Sequence, residues 1–394
     1  MTPDQDRTSG ETMQTRVVHV LTTATTLLFL SDHIKVMKGI GVEYHVIGNF
    51  DGTDHEADGV TFHHAPLHRG FGSFGDVVGF VRIVRLLRQV RPETVIVSTP
   101  KAGLVGGLAA FLFARKAQLI FLVRGFRFPT LAGRKRWLVK SLELLPSYFA
   151  DRVLVTSQQT AEALRELLPK RFWRRIGVTL NGTANGIDTQ HRFTPDNPAL
   201  APVENVRDRF GIAQDAFVIL IVARVCVDKG FADLIDAFER VQAKHPRAVL
   251  LIVGDDDPSD PLPPTVLGRL NELSVRANSV SNAQIPEIYR AADILACPSH
   301  REGFGISAIE AAAMETPTVA SRVGGLQSAV REDVSGLFHP VSDVDGMVQR
   351  YCNLIEEPTK LNALRRTGRA YVVDKFDSRL YDRFWLDLFL GRSD

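Results

Sequence analysis

Cysteine is scarce. Only Cys226, Cys297 and Cys352 occur in 394 residues, odd in number and far apart. That pattern excludes a disulfide framework and fits a reducing, cytoplasmic setting. The eleven histidines show no His-x3-His or comparable spacing, so no metal site is expected. Long apolar runs are missing as well. Residues 104–114 fall well short of the roughly 20 apolar residues that span a bilayer. Residues 17–30 are interrupted by Thr and Ala and follow Asp4, Asp6 and Glu11, so they read as a strand entering a loop, not a signal peptide. After that first strand stands Thr22-Thr23-Ala24-Thr25-Thr26, with no Gly-x-Gly-x-x-Gly, which weakens a dinucleotide reading. Finally, residues 94–142 contain no Asp or Glu.

What is present points to an α/β protein. Apolar residues make up 45% of the chain, enough at this length for two cored domains. The net charge of +2 divides unevenly, +8 over residues 1–190 and −6 over 191–394, so the first half is suited to an anionic partner. A polar tail over 1–14 is expected to be disordered. Strands are expected at 16–21, 42–47, 60–64, 94–97, 119–123 and 153–156. Helices are expected at 28–38 and 75–91, the second with Val77, Val81, Val84 and Leu87 on one face. A second α/β series follows, with strands at 216–222, 249–253, 294–296 and 318–320 and a last amphipathic helix at 378–390. The domains are accordingly drawn as 15–187, a Pro-containing linker 188–205, and 206–376, with 377–394 as a terminal helix.

The most informative stretch is Pro298-Ser-His-Arg-Glu-Gly-Phe-Gly-Ile-Ser-Ala-Ile-Glu310. It follows a buried-strand run and enters a helix through Gly303 and Gly305. Such a turn offers backbone N–H groups and the positive end of a helix dipole to an anion. Glu302 and Glu310 add acceptors for sugar and ribose hydroxyls, which suits a nucleotide-sugar. A second constellation, Ile219-Leu-Ile-Val-Ala-Arg-Val-Cys-Val-Asp-Lys-Gly230, sets Arg224 at a strand end and Lys229 before a helix. Two such cations can stabilise a departing nucleoside diphosphate. Gly254-Asp-Asp-Asp257 is read as a solvated acidic loop, and Asn181-Gly-Thr-Ala-Asn-Gly-Ile-Asp188 as a hinge turn.

These segments resemble the Glu-x7-Glu and Arg/Lys signatures of glycosyltransferase family 4, retaining enzymes of the GT-B fold. The resemblance implies two Rossmann-like doubly wound domains facing a central cleft, the donor on the second and the acceptor on the first, with the terminal helix crossing back to the first. It implies catalytic roles for Glu302, Arg224 and Lys229. Donor contacts come from Gly303, Phe304, Gly305 and Glu310 together with Arg224 and Lys229, and no cofactor is needed beyond the nucleotide-sugar, UDP-linked. Base recognition is expected near 276–280. The chain departs from the family at Ala223, where Gly is usual, at Val225, where Leu is usual, and at Gly324-Gly-Leu-Gln-Ser328, which lacks an acidic residue.

Thr99-Pro-Lys-Ala-Gly103 and Val123-Arg-Gly-Phe-Arg127 resemble segments of bacterial members that extend polyprenyl-diphosphate-linked sugars, making Lys101 and Arg124 the acceptor-binding candidates. The His that some relatives carry at 123 or 124 is missing. Arg127, Arg134, Lys135, Arg136, Trp137 and Lys140 interleave cations with apolar residues, a composition attracted to an anionic membrane surface. No recognised nucleic-acid module is present. The expected protein is therefore a membrane-peripheral cytoplasmic glycosyltransferase that moves a hexose or N-acetylhexosamine to a glycan acceptor. A nucleotide-sugar epimerase or hydrolase, or a non-catalytic glycan-lipid scaffold, stays open at this point.

Overall fold

The computed structural model describes residues 15–23, 41–50, 60–67, 74–126, 128, 133–258, 260–277 and 280–392. The expected tail, the helix expected at 28–38 and Arg127 lie outside these residues.

Two wholly parallel sheets organise the chain. The first runs in the order β3-β2-β1-β4-β5-β6-β7, from β1 (Arg16–Thr23), β2 (Glu43–Asn49), β3 (Val60–His64), β4 (Thr94–Ser98), β5 (Gln118–Val123), β6 (Arg152–Val155) and β7 (Ile176–Val178). The second runs β10-β9-β8-β11-β12-β13, from β8 (Phe217–Val222), β9 (Ala248–Val253), β10 (Ser274–Ala277), β11 (Ile294–Cys297), β12 (Thr318–Ser321) and β13 (Gly336–His339). Parallel strands require crossover connections, and helices covering both faces make the strands continuously apolar. β1 shows this: Val17, Val18, Val20 and Leu21 are all buried. In the second sheet, Val218 and Leu220 of β8 enter one core while Ile219 and Ile221 enter another, so each face has its own hydrophobic layer. This is the expected doubly wound α/β architecture, twice over.

The connecting helices used below are α1 (Phe74–Val90), α2 (Pro100–Phe113), α3 (Gly133–Leu144) and α4 (Gln158–Leu167). They continue with α5 (Phe231–Lys244), α6 (Ile285–Ala291), α7 (Ile306–Ala313), α8 (Gly324–Ala329), α9 (Val344–Glu356), α10 (Pro358–Phe376) and α11 (Ser378–Phe389). In α1 the buried face differs from the expected one. Gly79, Ile83, Leu86, Leu87 and Val90 point inward with Val84, whereas Val77 and Val81 are 61% and 45% exposed. The i, i+4, i+7 stripe that starts at Gly79 wins because Gly79 brings the helix onto the Leu67 side chain, where a Cβ would come within 2.8 Å.

Contacts divide the chain into two compact units. One is drawn from Met1–Leu154, Arg171–Gly177 and Asp382–Asp394, the other from Val155–Lys170 and Val178–Tyr381. The segment 188–205, expected as a linker, is anchored within the second unit. Phe193 is buried in its core, Arg290 donates to the Pro195 and Ala201 carbonyls, and Arg369 donates to the Phe193 carbonyl. The turn before it is pinned as well: Ile187 and residues 376–378 exchange backbone hydrogen bonds of 2.8 and 2.9 Å, and Asn181 donates to the Lys375 carbonyl at 2.9 Å.

Candidate active site

In the second sheet the strand order reverses between β8 and β11, and open α/β sheets bind ligands beyond the strand ends at such a point. The loops that follow these two strands carry both sequence constellations. β8 leads through Arg224 into a 3-10 turn, Val227–Lys229, then Gly230 and α5. β11 leads through 298–305 into α7, whose N-cap Gly305 has φ of 93°.

Glycine lets the two loops touch. Gly230 sits at φ 70°, and a Cβ there would lie 2.1 Å from the Pro298 carbonyl oxygen. A Cβ on Gly325, in the first turn of α8, would lie 2.3 Å from the Glu302 carbonyl oxygen. Close backbone approach therefore requires glycine at both positions. Polar ties reinforce the contact. His300 pairs with Asp233 of α5 at 2.7 Å, Arg301 with Asp228 at 2.6 Å, and the His300 N–H donates to the Asp228 carbonyl at 3.0 Å.

This packing joins Lys229 and Glu302 in an ion pair, with the Ser299 hydroxyl 3.5 Å from the same carboxylate. Arg224 is largely exposed and pairs with the buried carboxylate of Asp257. The acidic run expected to be a solvated loop is thus a strap in its second half. Asp257 holds Arg224, Asp256 pairs with Arg276 at 2.8 Å, and backbone hydrogen bonds tie 255–257 to Val225. The signal lay in the sequence only as three consecutive acids; Arg224, the partner of Asp257, is 33 residues away.

Glu310 projects from α7 and accepts from the Tyr289 hydroxyl of α6 at 3.0 Å. Burial pushes its carboxyl up to about 7, while the Tyr289 hydrogen bond and Arg192 act in the opposite direction. Sequence reasoning gave no hint of Tyr289. Phe304, expected among the donor contacts, is buried, with its ring centroid 5.6 Å from that of Phe376. A Cβ on Gly182 would lie 2.5 Å from the Phe304 ring, so this phenylalanine locks the loop to the 181–186 turn. Gly303 is half-buried beside it. Arg276, where base recognition was expected, lies on β10. Cys297 is buried beneath the loop, and burial, then Glu302, raises its thiol to about 12, so it is inert as a nucleophile.

The first unit has its own reversal, between β1 and β4. There Thr99, at φ 120°, caps α2 and its hydroxyl lies 2.5 Å from that of Thr22. Lys101 is buried and pairs with Asp76 of α1 at 2.5 Å. Arg124 follows β5; burial lowers its pKa to about 10, and Tyr44 acts in the opposite direction. The first unit also holds a buried chain that sequence reading did not foresee: His19 Nδ1 lies 2.8 Å from the Tyr44 hydroxyl, and His19 Nε2 lies 2.6 Å from that of Ser98. On α3, Arg134 and Arg136 are exposed and Trp137 is 73% exposed; Lys140 lies over the Phe128 ring at 5.9 Å. The Lys135 side chain is outside the described set. No helix among the described residues is long and apolar enough to cross a membrane.

The chemistry of the second unit rests on two cations, Arg224 and Lys229, each held by a carboxylate, Asp257 and Glu302, on loops around one strand-order reversal, with Glu310 on the helix that follows. Such a site can bind a phosphorylated, hydroxylated ligand by exchanging internal ion pairs for ligand contacts.

Comparison with known proteins agrees with this. Residues 202–371 match the family described as glycosyl transferases group 1, and residues 17–177 match a glycosyl transferase 4-like domain. The capsular polysaccharide biosynthesis glycosyltransferase CapM of Staphylococcus aureus is 26% identical over 369 residues, 93% of this chain and 94% of that protein. A D-inositol 3-phosphate glycosyltransferase of Segniliparus rotundus is 34% identical over 227 residues, 56% of this chain, and the match spans about half (48%) of the relative's length. Among solved structures, Anabaena HepE in complex with UDP and glucose superposes with a TM-score of 0.76 at 20% identity, over 96% of this chain and all (100%) of that one. At that identity the likeness shows the fold, and the fold is GT-B.

Proposed function

We propose that this glycosyltransferase, with its 4-like first domain and group 1 second domain, is a retaining enzyme of family 4 that acts in surface polysaccharide assembly. It moves a hexose or N-acetylhexosamine from a UDP-sugar to a glycan acceptor linked to polyprenyl diphosphate. The observation that carries the reading is the junction of the β8 and β11 loops, where Lys229 pairs with Glu302, with Arg224 earlier on the first loop and Glu310 on the helix that the second loop enters. The likeness to CapM over nearly the whole chain supports the polysaccharide context, and the UDP held by HepE supports the donor nucleotide.

In this mechanism the donor's diphosphate takes Lys229 and Arg224 from their carboxylate partners. The release of Lys229 frees Glu302 to accept from the donor sugar's hydroxyls and orient its anomeric carbon. The ionised Glu310 accepts from the ribose hydroxyls. As the glycosidic C–O bond breaks, charge grows on the leaving diphosphate, and the two cations stabilise it; a divalent ion is not required for that role. The leaving phosphate takes the acceptor hydroxyl's proton on the same face, which retains the anomeric configuration. On the acceptor side, Arg124 contacts the lipid diphosphate, and Lys101 helps once Asp76 yields it. Exposed Trp137, Arg134 and Arg136 bring the protein to the anionic cytoplasmic face of the membrane.

The test is a donor screen of UDP-hexoses and UDP-N-acetylhexosamines with a polyprenyl-diphosphate-linked sugar, with the product linkage read by NMR. A product with the donor's anomeric configuration is expected. An inverted linkage contradicts the retaining assignment, and sugar release at the same rate without acceptor contradicts transfer.

A further inference from the structure

Among the described residues, one cluster of potential metal ligands lies apart from the donor loops. His245 caps the C-terminal end of α5 and precedes β9, so it lies at the opposite edge of the sheet from Arg224 and Glu302. On α9, which packs against α5, Cys352 and Glu356 stand four residues apart and so share one helix face. The His245 Nε2 lies 3.0 Å from a Glu356 carboxylate oxygen, and the ligand atoms of all three residues fall within 4.8 Å of one another. Cys352 is buried, His245 is half-buried and Glu356 is exposed, so the cluster opens to solvent on one side.

We propose that His245, Cys352 and Glu356 form a zinc-binding site that clamps α5 to α9. The donor set selects the ion. A thiolate and an imidazole favour zinc over magnesium or calcium, and three protein ligands leave the fourth tetrahedral position to water. Neighbouring donors around tetrahedral zinc lie about 3.5 Å apart, given Zn–S near 2.3 Å and Zn–N near 2.0 Å. The widest separation in the cluster, up to 4.8 Å, therefore has to shorten by about 1 Å as the side chains turn onto the ion. On binding, the Cys352 thiol gives its proton to solvent, and the imidazole nitrogen that takes the metal gives up its hydrogen bond to Glu356. The ion would lie away from the transfer chemistry and tie a helix end to the middle of its neighbour, so its effect is on domain stability.

Cobalt reports the site directly, because thiolate ligation gives an intense near-ultraviolet charge-transfer band. Metal-stripped protein is titrated with Co²⁺ and then Zn²⁺, and its melting temperature is followed with each ion. The expected result is a charge-transfer band complete at one equivalent, bleached by zinc, with a higher melting temperature in zinc. Cys352→Ser should abolish the band, and His245→Gln, at a less buried position, should weaken Co²⁺ binding at least tenfold while keeping the fold. No band in the wild type, a band that persists in Cys352→Ser, or unchanged affinity in His245→Gln would overturn the proposal.

Discussion

Glu310 is a carboxyl held against its own solvation. Its pKa rises from 4.5 to about 7, so the folded state binds this proton more tightly than the unfolded chain does. The stability it contributes is complete below about pH 4.5 and is lost as pH rises through about 7; by pH 8 the difference is about 3 kcal/mol. A residue kept at that cost is doing something other than stabilising the fold. Glu310→Gln is therefore expected to raise the melting temperature at pH 8, leave it unchanged at pH 4.5, and weaken UDP binding. Thermal melts at the two pH values check the first two outcomes, and equal melting temperatures at pH 8 would remove the argument. For Lys229, the proposed role in stabilising the departing diphosphate predicts at least a tenfold fall in turnover for Lys229→Ala at saturating donor, measured as UDP release with acceptor. At this scale the charged residues were legible, because Glu302, Glu310, Arg224 and Lys229 stand in compact motifs. Their partners were not. Asp257 and Tyr289 lie 33 and 21 residues from the groups they hold, and only the fold brings them there.

The element scale turns on how closely two loops can approach. Gly230 and Gly254 have φ of 70° and 141°, and Cβ atoms at these positions would lie 2.1 and 2.0 Å from backbone carbonyl oxygens. Gly230→Ala meets both a strained backbone and a clash with Pro298, at a cost of about 2 kcal/mol or more. That corresponds to a melting temperature lower by roughly 4–8 °C for a domain of this size, with UDP affinity reduced as Lys229 moves from Glu302. Calorimetry on the variant checks both; a melt within a degree of the wild type would mean the loops are not locked. The longer elements could be read from apolar runs and helical stripes, since β8, β9 and β11 are buried on both faces. The missed strands β7, β10 and β13 have three or four residues each, and Ser274-Val-Arg-Ala277 has no alternation to mark it. In α1 the sequence offered two overlapping apolar stripes. Tertiary packing at Gly79 decided between them and left Val77 and Val81 exposed.

Across the whole molecule, charge is unequally shared. The first 190 residues carry +8 and the rest −6, and α3 displays Trp137, Arg134 and Arg136 together. Binding to vesicles containing anionic lipid should fall at least fivefold in Trp137→Ala/Arg134→Ser/Arg136→Ser and should weaken with added salt in the wild type. Co-sedimentation reads both, and binding that ignores salt and substitution would remove the membrane from the account. The central claim, however, is the proposal that Arg224 and Lys229 of the second domain receive a nucleoside diphosphate. Isothermal titration of UDP into the wild type and into Arg224→Ala tests it most directly. The account predicts saturable one-to-one binding that weakens at least tenfold in the variant; wild-type affinity in Arg224→Ala, or no binding of UDP by either protein, would contradict it.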